Sequence, residues 1–219
     1  VSVIVVPPPV PDQLSARIGK SNQVELVWYE PWPNQQNGFL IEFAEDAGEK
    51  PGNWQQLDWI AATNFYTAQY IQTNAAPWAT NWYRVRAVGV GGVSAPSAVL
   101  RFVVSPPPPP SSLSGVQFAD QITLQWVCYT AGQVDGFRVE RAVETGGGLG
   151  AWESLAVTSA TNSFSGYWYS RHEDSGLSAD TVYWYRVRAS NWVGDSEPST
   201  AIFKKVLGPA APRSLSGGV

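Results

Sequence analysis

Six consecutive residues, Trp-Tyr-Arg-Val-Arg-Ala, occur twice, at 82–87 and again at 184–189. They belong to a longer colinear series. Trp28 in "VELVWYE" answers Trp126 in "ITLQWVC", an offset of 98, and "GFLIEFA" from Gly38 answers "GFRVERA" from Gly136 at the same offset. Trp54 and Trp152 keep it. Tyr83 and Tyr185 stand 102 apart, as do "GGVSAPSA" and "VGDSEPST", so the second copy carries four extra residues between Trp152 and Tyr185. Chance does not produce such an ordered series. The chain holds two copies of one unit, each about a hundred residues long, and any fold must be one that can be written twice in tandem.

The joints repeat as well. "LRFVVSPPPPPSSLSG" links the copies, "VIVVPPPVPDQLSA" precedes the first, and "KKVLGPAAPRSLSGG" follows the second. The predicted boundaries are 7–105 for the first unit and 106–207 for the second. Residues 1–6 read as the last strand of a preceding repeat or as a donor strand, and 208–219 as a linker and the start of a following repeat. The chain is expected to be a window on a longer array. Consecutive prolines favour an extended polyproline II rod of ~3.1 Å per residue and donate no backbone hydrogen bonds, so a semi-rigid spacer is predicted between the units. The rival reading, a ligand for a proline-reading domain, is disfavoured because every joint is Pro-rich.

Within each copy the apolar residues alternate. Val24, Leu26 and Trp28 share one strand face, as do Ile122, Leu124 and Trp126. Phe39, Ile41 and Phe43 share another, against Leu40 and Glu42. Tyr83, Val85 and Ala87 share a third, against Trp82, Arg84 and Arg86. Period two means strands with one face in a core. Several such runs between Gly/Pro/Asn/Ser clusters predict an all-β sandwich or barrel. Only 15% of residues are charged and the net charge is −4, which excludes a basic nucleic-acid footprint. No apolar run reaches the ~20 residues of a membrane helix, so no membrane insertion is expected. One cysteine, Cys128, cannot make an internal disulfide; two residues after Trp126, it is predicted to face inward as a small buried apolar residue.

The strand-ending Trp28 and Trp126, the stretch "GLSADTVYWYRVRAS" and the following "GDSEPST" resemble fibronectin type III domains. The resemblance covers both copies. It implies two tandem seven-stranded antiparallel β-sandwiches, fibronectin type III or immunoglobulin-like, joined by a Pro-rich linker. Trp28, Trp126, Tyr83 and Tyr185 would be core residues. It also implies a tyrosine corner, for which Tyr183, six residues after Leu177, is placed. Copy one has Asn81 there, so its corner must be built differently, with Trp78 filling the leucine role and the loop held less firmly. The resemblance further implies a non-enzymatic structural spacer and adhesion segment of an extracellular or cell-surface protein, bacterial or on a virion. Its partners would be the neighbouring repeats of the same chain.

The doubled stretch supports two readings. Trp82, Arg84, Arg86 and their counterparts Trp184, Arg186, Arg188 point outward, where Glu42 and Glu140 on the neighbouring strand can meet an Arg. Such pairs contribute roughly 0.2–1 kcal/mol, and an Arg lying on a Trp ring roughly 0.5–1 kcal/mol. On this reading they lace the outer sheet face. Alternatively these six residues, with Trp192 in the loop "SNWVGDS", form a Trp-rich module for surface glycan or protein, since eleven tryptophans leave Trp32, Trp59, Trp78 and Trp168 also to be placed. A third reading makes the chain a filament subunit that donates residues 1–6 to an identical subunit's sheet. No chemistry is indicated. The single His172, in "SRHEDSG", reads as a solvated loop residue; "TGGGLGAW" lacks the Lys-Ser/Thr of a phosphate loop and reads as a hairpin turn. No catalytic residue, metal site or cofactor is predicted.

Overall fold

Each alternating run becomes a strand in a computed structural model that describes residues 6–33, 35–63, 65–162 and 167–208. The chain divides into two units, one built mainly from residues up to Ser105 and one mainly from Pro106 onward. The proposed donor strand and the lead-in to a following repeat fall, apart from Val6 and Gly208, outside the described residues.

The first unit contains β1 (Asp12–Ile18), β2 (Val24–Tyr29), β3 (Gly38–Glu45), β4 (Gln55–Ala61), β5 (Thr67–Gln72), β6 (Thr80–Gly89), β7 (Gly92–Val93) and β8 (Leu100–Val103). They form two antiparallel sheets. One has the order β1-β2-β5; the other has the order β4-β3-β6, with β7 and β8 both paired to β6. The residues expected inside are inside: Val24, Leu26, Trp28, Phe39, Ile41, Tyr83, Val85 and Ala87 form one cluster between the sheets. Trp28 meets Phe39 edge-on, ring centroids 5.3 Å apart. Burying each large apolar side chain is worth about 1.5–3 kcal/mol, and the edge-to-face pair about 0.5–1.5 kcal/mol more.

The second unit repeats the plan with β9 (Ser111–Phe118), β10 (Gln121–Tyr129), β11 (Gly136–Thr145), β12 (Gly148–Leu149), β13 (Glu153–Ser159), β14 (Thr161–Asn162), β15 (Tyr167–Asp174), β16 (Val182–Asn191), β17 (Gly194–Asp195) and β18 (Ile202–Lys205). Its sheets are β14-β15-β10-β9 and β13-β11-β16, the latter extended by β12, β17 and β18. Ile122, Leu124, Trp126, Cys128, Phe137, Val139, Tyr185 and Val187 form its own cluster, and Trp126 again meets Phe137 edge-on at 5.6 Å. The two-residue turn Gly146-Gly147 closes the β11–β12 hairpin, as the glycine run predicts.

Seven strands are expected per unit, but the described residues give eight segments and ten. Part of the excess has one cause, repeated. The last strand is split around Pro96 and Pro198, where a ladder donor is missing. Two serines staple the gap. Ser94 Oγ and Ser97 Oγ accept from the backbone N–H groups of Ala87 and Val85, each at 3.0 Å. Ser196 and Ser199 do the same for Ala189 and Val187. The repeated "SAPS" and "SEPS" therefore keep buried β6 and β16 amides satisfied where the sheet ladder is broken.

The proline segments do not behave wholly as free rods. Pro8 and Pro11 are buried in the first unit, and Pro107 and Pro110 are buried at the matching positions, a three-residue spacing. That is the period of a polyproline II helix with one packed face. Pro8 lies so close to Gly89 that a Cβ there would meet it at 2.6 Å.

His172 is not in a loop. It lies within β15 opposite Leu124 and is partly buried. The polar run "SRHEDSG" hides a strand because its outward residues are charged and its inward ones small or polar.

Candidate binding surfaces

The doubled stretch places Tyr83 and Val85 inward from β6, and Trp82, Arg84 and Arg86 outward, in register with Glu42 and Leu40 of β3. Glu42 Oε2 accepts from Arg84 Nε at 2.6 Å and Arg86 Nε at 3.0 Å. Burial raises the Glu42 carboxyl pKa, but the hydrogen bonds and charges of Arg84 and Arg86 together outweigh it, so the net shift is downward. The Arg84 guanidinium also lies 4.1 Å over the Trp54 ring. Trp82 Nε1 donates to Asp46 at 2.8 Å.

The second unit repeats the ladder. Glu140 Oε2 accepts from Arg186 Nε at 2.5 Å and from Arg188 Nε at 3.4 Å; Arg186 lies 4.2 Å over Trp152, and Trp184 Nε1 donates to Glu144 at 2.8 Å. Arg84 and Arg186 thus use the indoles that immediately precede β4 and β13, not those of their own strand. All six outward candidates of the doubled stretch are engaged within their own unit, and Trp192 is half-buried in the β16–β17 turn. Of the remaining tryptophans, Trp168 packs on the second core, while Trp32, Trp59 and Trp78 are exposed.

At the start of β16 the hydroxyl of Tyr183 accepts from the Ser178 N–H at 3.1 Å, and Leu177 is buried. This is the tyrosine corner. In the first unit Ala75, not Trp78, takes the position of Leu177: its N–H donates to Asn22 O just as that of Leu177 donates to Asp120 O. Trp78 sits instead where Asp180 sits, its N–H bonded to Val104 O and its φ at 65°. The residue is 64% exposed, so it fills no leucine role. Ala75 follows from the offset of 102; Trp78 is three residues too late. Asn81 turns inward and donates to the Tyr83 hydroxyl at 3.2 Å, and among the described residues its side chain makes no corner bond to the loop backbone.

The fourth strand decides the fold. In immunoglobulin constant-type sandwiches it joins the sheet of the first, second and fifth strands. Here β4 pairs β3, and its counterpart β13 pairs β11, on the opposite sheet. The inter-sheet cysteine pair is also missing, since Cys128 is the single cysteine. Both units have the fibronectin type III fold. No family model matches the chain. Among solved structures, it is similar to the chicken CNTN1 FN1–FN3 domains, with 17% identity over 94% of this chain and 69% of that one and a TM-score of 0.38. It is also similar to a two-domain fibronectin type III segment of chicken tenascin, with 16% identity over 89% of this chain and 98% of that one and a TM-score of 0.41. At these scores the fold assignment rests on the strand order.

Among the described residues no group of His, Cys, Asp and Glu could hold a metal ion, and no helix is long and apolar enough to cross a membrane. The second unit carries a concave surface that the tryptophan count does not signal. The outer face of β9-β10-β15 forms a groove of about 760 Å³. Tyr167 and Tyr169 wall it from β15, and Ser112 and Ser114 line it from β9. The Tyr167 ring lies 5.8 Å from Tyr129 and 6.1 Å from Tyr169. Arg171 follows on the same face, opposite Gln125. The available signal is again period two: Tyr167, Tyr169 and Arg171 alternate against the inward Trp168 and Ser170.

Proposed function

We propose that this chain is a non-enzymatic structural and adhesion segment of an extracellular or surface array. The observation that carries this reading is the doubled outer ladder. In each unit one Glu holds two Arg, one Arg covers a Trp ring, and the outward Trp is hydrogen-bonded to a carboxylate. Groups that look like binding elements in the sequence are used to finish a sheet face, which discourages face-to-face association while each unit keeps its own core. The split, Pro-interrupted edge strand supports the same reading, because Pro and side-chain caps blunt an edge against pairing with other chains.

Stretching the tandem chain by single-molecule force spectroscopy tests it. Two unfolding steps are expected, each releasing on the order of 30 nm, at ~3.6 Å per extended residue. One step releasing both units together would overturn the reading.

A further inference from the structure

The groove on β9-β10-β15 combines aromatic rings, hydroxyls and a single cation among its described residues. Its walls are tyrosine rings and serine hydroxyls, and its floor includes Gln125 and Val127. The one charged side chain on it is Arg171, which has no ion pair with a carboxylate among the described residues. In contrast, Arg84, Arg86, Arg138, Arg141, Arg186 and Arg188 are all paired. The nearest acid along β15, Glu173, accepts from Gln121 at 3.1 Å. On a chain of net charge −4, the groove lining carries, among the described residues, one positive side chain and no carboxylate, with Glu173 just beyond it held by Gln121.

The first unit supplies an internal comparison. Its matching face carries Thr67 where the second has Tyr169, and Gln69 where the second has Arg171; both pair with β2 as their counterparts pair with β10. The first unit's matching face is also grooved, at about 460 Å³, with Phe65 where the second has Tyr167. What it lacks is the ring of Tyr169 and the charge of Arg171, so the shared fold requires neither of these two side chains.

We propose that this face of the second unit binds an acidic polysaccharide. Sugar rings lie on Tyr167 and Tyr169, serine and glutamine groups hydrogen-bond to hydroxyls, and Arg171 takes a sugar carboxylate. Aromatic rings supply a large apolar contact with a polar tip. The planar guanidinium fork matches a carboxylate and gives a charge-assisted bond about twice as strong as a neutral one. Because the overall charge is negative, attraction must come from contact at Arg171, not from long-range steering. The inference does not rest on the array reading: force extension and binding fail separately.

Calorimetric titration of the full chain with hexamers of galacturonate, alginate and hyaluronan, beside cellohexaose and a hexaglutamate peptide, tests it. At least one acidic glycan is expected to bind, with the neutral glucan and the peptide weaker. Arg171→Gln and Tyr169→Thr each place in the second unit the residue that the first already folds with, so loss of fold is not the concern. Each is expected to weaken binding about tenfold or more, the loss of one good charged or ring contact. Absence of binding to all three acidic hexamers overturns the proposal. So does binding that survives either substitution, or equal binding of the peptide or the neutral glucan.

Discussion

Trp78 holds a backbone conformation that side chains larger than Asn rarely adopt. Its φ of 65° lies in the left-handed region, where an L-residue pays about 1–2 kcal/mol, and its ring is largely in solvent with little burial in return. Trp78→Asn should therefore stabilise the first unit by about 0.5–1 kcal/mol, a few degrees in its thermal midpoint. A fall in the midpoint would mean that the exposed ring packs usefully. Cys128 is the opposite case: fully buried, with its thiol donating to Pro108 O at 3.4 Å. Burial pushes the thiol up to about 11, so almost no thiolate exists near neutrality. A thiol reagent should label it only as fast as the second unit opens; prompt labelling of the native chain would contradict the burial.

At the scale of strands, the same core tyrosine is held by two different networks. In the second unit Tyr185 donates to Asp174 at 2.8 Å, and Arg141 of β11 bonds the same carboxylate at 3.0 Å while lying 5.4 Å over the Tyr183 ring. Burial first, and then the Asp174 bond and charge, push the Tyr185 phenol upward. In the first unit Tyr83 donates to Gln72 at 2.5 Å, and Phe43 tilts against its ring at 5.8 Å; burial pushes this phenol up to about 12. Aligned by the two offsets, Gln72 replaces Asp174 and Phe43 replaces Arg141. A buried charged pair and an uncharged set thus occupy one site. Both exchanges are visible in the sequence. Their coupling is not, because β11 and β15 lie on opposite sheets and 33 residues separate the partners. Breaking one half should cost more than replacing both. Asp174→Gln alone should destabilise the second unit by about 2 kcal/mol, reduced from the fully buried range because Arg141 keeps some solvent. Adding Arg141→Phe should recover at least about 1 kcal/mol. A denaturant double-mutant cycle measures this, and additive costs would show the two sites to be uncoupled.

Across the whole molecule, what was legible in the sequence is what the chain writes twice: the two cores, the sheet faces and the Glu–Arg ladder all follow from alternation and offset. The rest was hidden where that signal fails: the tyrosine groove, the strand at His172 and the left-handed Trp78 each break the apolar-inside, polar-outside pattern on which alternation depends. Glu30 is the sharpest instance. It follows Val24, Leu26 and Trp28 at period two, in the position that Cys128 fills in the second copy, and it is indeed buried. One carboxylate oxygen accepts from Gln36 Nε2 at 2.5 Å and the other has no partner among the described residues. Burial raises its pKa from the usual 4.5, with the Gln36 bond opposing less strongly. A raised carboxyl means that the folded chain holds this proton more tightly than the unfolded one. Its contribution to stability is full below about 4.5 and is lost as pH rises through the higher folded value. Glu42, shifted down, works in the other direction: its contribution is present above 4.5 and is lost as pH falls through its folded value. Glu30→Gln removes the first titration and leaves the second. Thermal midpoints of the first unit from pH 4 to pH 9 should therefore decline less on the alkaline side in the variant, with a gain near pH 8 and little change near pH 4. A variant as pH-sensitive as the parent above pH 5, or less stable at pH 8, would show that the buried carboxyl is not a liability of the fold.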